Sequence, residues 1–236
     1  MSALVTAKRG HHFVIGLLDK NSVIVDLGAN RGNFSNELVA ECGCLCYAIE
    51  AVPRLFDTIP HHPRIRKFNL AISEKNSPVS FSVSSQEESG SVSKLPSGMV
   101  VEIISVNGVT LGSFIESQGI DTVDLLKIDI EGAETALLKT IDNETLSKIK
   151  QIAVEFHDFL PYFDQKEDIR FIKHRLDKLG FECIRYSMRY HADVLFINRN
   201  LSGLKPMQIG WLKWVDRFAR TWKRYLLRCV RHSDHH

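Results

Sequence analysis

The sequence predicts a three-layer, Rossmann-like α/β fold, and three observations carry that expectation. Short apolar runs alternate with stretches of helical spacing through most of the chain, the pattern of strand–helix units that build a parallel sheet covered on both faces. One such run, residues 22–27, ends in an acidic residue and passes through a glycine-bracketed turn into a helical stretch. The 236 residues fit one domain of this kind with a short remainder.

The elements follow in order. Residues 22–27 (SVIVDL) read as a buried strand, Gly28–Gly32 as a turn, and 33–40 as a helix with Phe34 and Leu38 four apart. Residues 44–50 (CLCYAIE) form a second strand, and Pro53 suits the first turn of a short helix. A third strand covers 65–72. The β-rich runs PVSFSVS and MVVEIISV then flank the Ser84–Gly98 loop as a hairpin. A helix over 111–117, a strand over 123–129, a helix over 132–138 and a strand over 151–156 resume the alternation. Ile169, Ile172, Leu176 and Leu179 keep helical spacing up to Gly180, which closes that helix. FECIRY and DVLFIN finish the body as a hairpin that adds an antiparallel edge strand.

Composition bounds the class. Hydrophobic residues at 44% and charged residues at 25% are those of a soluble globular protein, and no run approaches the ~18–20 apolar residues of a membrane span. The first twenty residues lack a long apolar core and a small-residue cleavage site, so no signal peptide is expected. Five cysteines in no framework spacing point to a reducing, cytoplasmic setting. The net charge of +2 is uneven: residues 205–236 hold eight Lys/Arg against Asp216 and Asp234, which leaves 1–204 at −4. The chain therefore divides into a domain over 1–204 and a basic tail over 205–236.

The segment Val23–Asn33 carries the cofactor chemistry. Gly28 and Gly32 permit tight backbone geometry and the approach of a ligand, with free N–H groups and a helix N-terminus facing it. Glu50, eighteen positions after Gly32, ends the second strand, where a carboxylate accepts hydrogen bonds from both hydroxyls of an adenosine ribose. Gly-Ala-Asn-Arg-Gly is not the G-x-G-x-x-G of dinucleotide sites, and Asn30 stands where a pyrophosphate loop needs bare backbone. Asp26 would repel a pyrophosphate yet attract the ammonium of a methionine moiety. The pattern favours S-adenosylmethionine over NAD.

These stretches resemble the FkbM family of methyltransferases over roughly residues 20–200. The matching segments are VIVDLGANRGNFS, AIEAVP, FNLAIS, PVSFSVS and, most specifically, LLKIDIEGAETALLKT followed by IAVEFH. The resemblance implies the class I methyltransferase version of the fold, a seven-stranded sheet. It also implies S-adenosylmethionine as donor and O-methylation of hydroxyls on sugars or polyketide-like metabolites. By position, Gly28, Asn30 and Gly32 would line the methionine and ribose, Glu50 would hold the ribose diol, and Asn69 and Ala71 would neighbour the adenine. Gly112 departs from the family, whose members commonly carry an acidic residue after Thr-Leu.

Ligands of open α/β sheets bind outside the carboxyl ends of the strands, where Asp26–Gly32, Asp129–Glu131 and Glu155–His157 converge. Asp129 neighbours the cofactor, and Asp129, Glu155 and His157 form the candidate catalytic set. Glu134 belongs to the following helix and caps or solvates its first turn. A hydroxyl acceptor needs a base, and His157, with an ordinary pKa near neutrality, is the first candidate. The alternative is a Mg²⁺ or Mn²⁺ site drawn from Asp129, Glu131, Glu155 and His157 that lowers the pKa of the hydroxyl. Cys42, Cys44 and Cys46 lack the partner pair of a zinc motif, and His11–His12 and His61–His62 read as surface residues.

At helical spacing over 206–232, Trp211, Trp214, Val215, Phe218, Trp222, Tyr225, Leu226 and Cys229 share one face opposite a face of Lys and Arg. That is the pattern of an interfacial membrane helix at the inner face of the cytoplasmic membrane, with a helix packed on its own domain as the alternative and nucleic acid not expected. Three function classes follow. They are an O-methyltransferase acting on a hydroxyl of a sugar, glycolipid or related metabolite, an NAD-dependent oxidoreductase, and a non-catalytic membrane-associated nucleoside-binding module.

Overall fold

The computed structural model describes residues 5–84, 90–91, 100–160, 165–187, 190–216 and 218. Most of the Ser84–Gly98 loop and of the 206–232 tail helix beyond residue 218 therefore lie outside the described residues.

The chain opens with a hairpin that the sequence reading missed, β1 (Val5–Lys8) and β2 (His11–Val14), paired antiparallel around Arg9 and Gly10. Both turn residues have positive φ, 50° and 92°, the two-residue turn that matches strand twist. β3 (Val23–Leu27), α1 (Asn33–Cys42), β4 (Leu45–Ile49) and α2 (Pro53–Phe56) follow as expected, but the strand expected over 65–72 is split: β5 (Ile65–Phe68) stays in the main sheet and residues 71–72 pair elsewhere. β6 (Ala71–Ile72) comes next, then β7 (Val79–Ser84), β8 (Gly90–Ser91) and β9 (Val100–Val106) form a three-stranded antiparallel sheet. β10 (Gly108–Val109) pairs with β6 and leads into α3 (Leu111–Ser117). β11 (Leu125–Ile128), α4 (Glu134–Thr140), α5 (Asn143–Ser147) and β12 (Gln151–Val154) follow. α6 (Lys166–Lys178), β13 (Phe181–Arg185), β14 (Val194–Asn198) and α7 (Pro206–Trp211) complete the order. A cap of the expected kind starts α3, where the Thr110 side chain accepts from Ser113 N.

The main sheet has seven strands in the order β13-β14-β12-β11-β3-β4-β5. The chain starts at its centre, moves out through β4 and β5, then returns to β11 on the other side of β3. The switch in strand order therefore falls between β3 and β11, where open α/β sheets bind ligands. The expected antiparallel hairpin is present, but its position differs. β14 runs antiparallel to both β12 and β13, so the reversed strand is interior and the edge strand β13 runs with the rest.

Period-two alternation sorts the side chains onto two faces. Val25, Leu27, Leu126, Ile128, Ile152 and Val154 join the core under α3 to α6. Ile24, Cys46, Ala48, Leu125, Ala153, Leu195 and Ile197 join the core on the side of α1, the hairpin and α7. Asp26 and Lys127 share the parity of Ile24 and Leu125, and the β3–β11 register sets them side by side. Gly112 is explained by packing, since a Cβ there would lie 2.8 Å from Thr145 Oγ1 on α5. The described cysteines are free thiols. No helix among the described residues is long and apolar enough to cross a membrane.

The backbone of the turn by itself requires glycine at Gly28 and Gly32. A Cβ on Gly28 would fall 1.8 Å from the Asp129 carbonyl oxygen, and one on Gly32 would fall 2.9 Å from Ile59, with φ values of 73° and 74°. Gly28→Ala combines left-handed strain with a backbone clash, for an expected loss of about 2–4 kcal/mol without any ligand. Gly10→Ala, at φ 92° with nothing within 4 Å, carries only strain, about 1–2 kcal/mol. Denaturant titration of the two ligand-free variants checks the difference; equal losses would place the constraint in the turn alone.

Candidate active site

The carboxyl ends of β3, β4 and β11 frame a cleft lined by Gly28, Asn30, Glu50, Ala71, Asp129 and Glu131, with Leu27, Ile49, Leu55, Leu70 and Ile72 as apolar walls. Five of the expected cofactor residues, Gly28, Asn30, Glu50, Ala71 and Asp129, thus line one surface. The other three do not. Gly32 packs on Ile59. Asn69 is an exposed brace whose amide donates to the Glu50 and Ala51 carbonyls at 2.9 and 3.0 Å.

Asp26 is the larger correction. Its strand parity turns it under the glycine loop, where it is fully buried, accepts from Ser35 Oγ at 2.7 Å and lies 3.2 Å from Lys127 Nζ. A carboxylate neutralised in this way is not left to attract a ligand's ammonium. The loop amides are engaged as well. Gly28 N and Ala29 N donate to Ile49 O, Asn30 N to Glu50 Oε2 and Gly32 N to Ala29 O. The expected row of free N–H donors is absent among these residues, and with it the nest a pyrophosphate requires.

Glu50 accepts from Asn30 N and Val52 N, both at 2.8 Å, and burial raises its pKa against the opposing pull of these two bonds. Each oxygen keeps a second lone pair on the cleft side for a ribose hydroxyl. The charged residues that line the cleft are Glu50, Asp129 and Glu131, all acidic. Aliphatic walls for a flat base, a carboxylate for a diol and an acidic floor for a cation fit S-adenosylmethionine, and they do not fit the anionic bridge of NAD.

Beyond the cleft, Asp129 lies 3.5 Å from Lys127 Nζ and 3.3 Å from His11 Nε2. Burial would raise its pKa, but Lys127 and His11 outweigh burial and hold it well below the carboxylate range. His11 is a site residue that the sequence reading placed on the surface. It is 1% exposed, delivered by the N-terminal hairpin. His12 is likewise buried. Its backbone N–H and its Nδ1 engage the two oxygens of Asp193, at 3.1 and 2.7 Å, and its ring stacks on Tyr186. His61 and His62 are exposed, as expected.

His157 departs furthest from expectation. Its Nε2 lies 3.2 Å from Glu131 and its Nδ1 3.0 Å from Glu134. Glu134 is not a solvated cap; it is fully buried and accepts from Ile130 N and Gly132 N, each at 3.0 Å. Burial lowers the imidazole pKa, but the bonds and charges of Glu131 and Glu134 prevail and raise it to about 11. An imidazolium with both nitrogens facing carboxylates has no lone pair to accept a proton, so this geometry disfavours His157 as the neutral base of the sequence reading. Glu155 behaves oppositely: burial first, then the charge of Asp129, raise its pKa to about 7. The His157 ¹⁵N shifts should therefore remain those of an imidazolium up to about pH 9, far above the ~6.5 of a free side chain. Glu134→Gln should bring the transition down, and a neutral tautomer in the unsubstituted protein at pH 8 would refute this charge assignment.

Comparison with known proteins identifies the family. The Methyltransferase FkbM domain matches residues 26–183. The chain is 27% identical to the 2-O-methyltransferase NoeI of Sinorhizobium fredii over 214 residues, 81% of this chain and 86% of that protein. A crystal structure of Methyltransferase FkbM from Methylobacillus flagellatus is 18% identical with a TM-score of 0.48. That match covers 78% of this chain and 46% of the crystallised one, so the present chain spans under half of its length. TrmK from M. capricolum, solved with S-adenosyl-homocysteine, is 13% identical with a TM-score of 0.44 and covers 83% of this chain and 70% of its own. With two thirds of its length inside the matching domain, the chain belongs to the FkbM family of S-adenosylmethionine-dependent methyltransferases.

Proposed function

We propose that the enzyme O-methylates a hydroxyl of a sugar, glycolipid or related small molecule, with Glu155 as the base. The observation that carries this reading is the half-buried Glu155 carboxyl, set within 4.8 Å of Asp129 and His11 beside an acidic cleft with aliphatic walls, where burial and Asp129 raise its pKa. The name of the Sinorhizobium relative, a 2-O-methyltransferase, supports oxygen as the acceptor atom. S-adenosylmethionine supplies a methyl group on a sulfonium, which an acceptor oxygen takes by in-line displacement. The chain's residues do the rest. Glu50 and the apolar walls hold the nucleoside, and the acidic floor balances the sulfonium charge. Asp129, pinned by Lys127 and His11, stays ionised and keeps the pKa of Glu155 high. A base matched to neutral pH then receives the hydroxyl proton as the new C–O bond forms.

Metal-free chemistry is favoured by the charges in place. Of the candidate ligands for Mg²⁺ or Mn²⁺, Asp129 and Glu131 already pair with Lys127 and the His157 imidazolium, and His157 in that form has no lone pair to offer. A cation added there would face two fixed positive charges. A non-catalytic nucleoside-binding role leaves the tuned pKa of Glu155 without a purpose.

The tail supports a second element of this reading. Ile209, Leu212 and Asp216 are buried against the domain, while Trp211, Trp214, Val215 and Phe218 are 41%, 70%, 52% and 69% exposed. Lys213 joins the packed side through Glu182. We infer that the outward aromatic face, continued by the basic 219–232 sequence, seats the enzyme on an anionic membrane surface with a lipid-linked acceptor.

Glu155 must lose its proton to act, so kcat should rise with pH through about 7 and level off above it. Glu155→Gln should lower kcat roughly 10²–10⁴-fold and remove the rising limb, with cofactor affinity kept. A chelator should leave both profiles unchanged; a limb that survives Glu155→Gln, or activity lost to chelator and restored by Mg²⁺, would remove Glu155 from the base role. Co-sedimentation with anionic vesicles tests the tail. Binding should fall with salt as the Debye length shrinks from ~10 Å at 0.1 M to ~3 Å at 1 M, yet not vanish. It should drop sharply in a Trp211/Trp214→Ala variant, and protein left in the supernatant at low salt would end the membrane reading.

A further inference from the structure

Two loops meet on the outer side of the carboxylate cluster. One follows β12 and carries Glu155, His157 and Phe159; the other precedes β14 and carries Tyr190 and His191. They are stapled together: His191 N donates to Asp158 Oδ1 at 2.8 Å, and His191 Nδ1 lies 2.8 Å from Asp158 Oδ2. Phe156 N adds a bond to His191 O at 3.1 Å, and Leu160 N closes the first loop on His157 O at 3.1 Å. The staple fixes an aromatic strip that climbs out of the site. The Phe159 ring sits 5.4 Å from the His157 ring at 37°, and Tyr190 sits 6.3 Å from Phe159 at 62°.

Phe159 and Tyr190 are each 37% exposed, although both are large rings beside buried neighbours. Fold stability does not call for two half-open aromatic rings next to ionised carboxylates. A ligand with one apolar face and a polar rim does. A pyranose ring has that character: its axial C–H bonds form an apolar face, and its hydroxyls project around the edge. Aromatic walls with a few convergent polar groups suit such a ligand.

We propose that Phe159 and Tyr190 are the acceptor platform, stacking on the face of a pyranose so that an edge hydroxyl meets Glu155. The proposal rests on the O-methylation reading for its orientation and names the acceptor class. Neither ring is among the residues that line the cofactor cleft, so the platform governs acceptor binding and not cofactor binding.

The test uses the full chain saturated with S-adenosylhomocysteine and a panel of methyl pyranosides, with cyclohexanemethanol as an apolar control of similar size. Saturation-transfer NMR should show at least one glycoside binding saturably through its C–H face. Phe159→Ala should weaken that binding about tenfold, Tyr190→Ala should weaken it likewise, and Phe159→Trp should preserve it. The affinity for S-adenosylhomocysteine should stay unchanged in all three, which reports that they remain folded. The platform is overturned if no pyranoside binds, if only cyclohexanemethanol binds, or if the alanine variants bind the glycoside as well as the unsubstituted enzyme. Replacing S-adenosylhomocysteine by S-adenosylmethionine separates the two readings. A glycoside that binds through these rings but is never methylated upholds the platform and sinks the O-methylation reading.

Discussion

The buried ammonium of Lys127 is the constraint on which the rest of the site depends. It lies 3.2 Å from Asp26 and 3.5 Å from Asp129, and it donates to Gly28 O at 2.8 Å and Leu27 O at 3.3 Å. One side chain thus ties the glycine loop to the strand on the far side of the topological switch. Burial disfavours its charge, yet Asp26 and Asp129 hold its pKa above the ordinary value. Removing one partner from such a buried set typically costs about 3–5 kcal/mol, because the remaining charges are left uncompensated. The geometry follows from register: Lys127 pairs with Asp26 across adjacent parallel strands, so both must point to the same face.

Charge is then distributed unevenly among the acids, and that unevenness is the chemistry. Asp26 and Asp129 share Lys127, Asp129 also has His11, and Glu131 and Glu134 share His157. Glu155 is left facing Asp129, with ligand atoms of His11, Asp129 and Glu155 all within 4.8 Å of one another. Burial raises the Glu155 pKa first and the charge of Asp129 second, against the opposing pull of His11 and His157, and the carboxyl reaches about 7. Pinning one acid in its charged form is what frees its neighbour to exchange a proton near neutrality.

Much of this was legible in the sequence, and the failures have physical causes. The strand–helix alternation, the glycine turn and the K-I-D-I-E-G-A-E stretch fall where the fold places them. Asp26 was misread because its position before the glycines was weighed and its parity with Ile24 was not. The hairpin escaped because its turn is Arg-Gly instead of the usual Asn-Gly or Asp-Gly, with Arg9 held at φ 50°. His11 was lost with it. The converging strand ends already placed Glu131 near His157, but the state of His157 depends also on Glu134, which the sequence assigned to the cap of the following helix. Of the two readings of the tail, packing on the domain holds for one stripe, Ile209, Leu212 and Asp216, while Trp211, Trp214, Val215 and Phe218 stay exposed.

The reversal of β14 connects these features. Because it runs against its neighbours, its N-terminal end lies at the carboxyl ends of the other strands, and the Tyr190–Asp193 loop meets the loop after β12. A parallel strand would have carried that loop to the opposite pole, away from Glu155. The same reversal delivers Asn198 to the far pole, so the tail must climb back along β13. It does so until Asp216 reaches the Tyr186 hydroxyl, 3.3 Å away, just past the carboxyl end of β13. Tyr186 in turn stacks on His12, next to the His11 that pins Asp129. One antiparallel strand therefore shapes the loop beside Glu155 and returns Asp216 of the tail to the same pole. A surface bound by that tail would face the opening through which an acceptor enters.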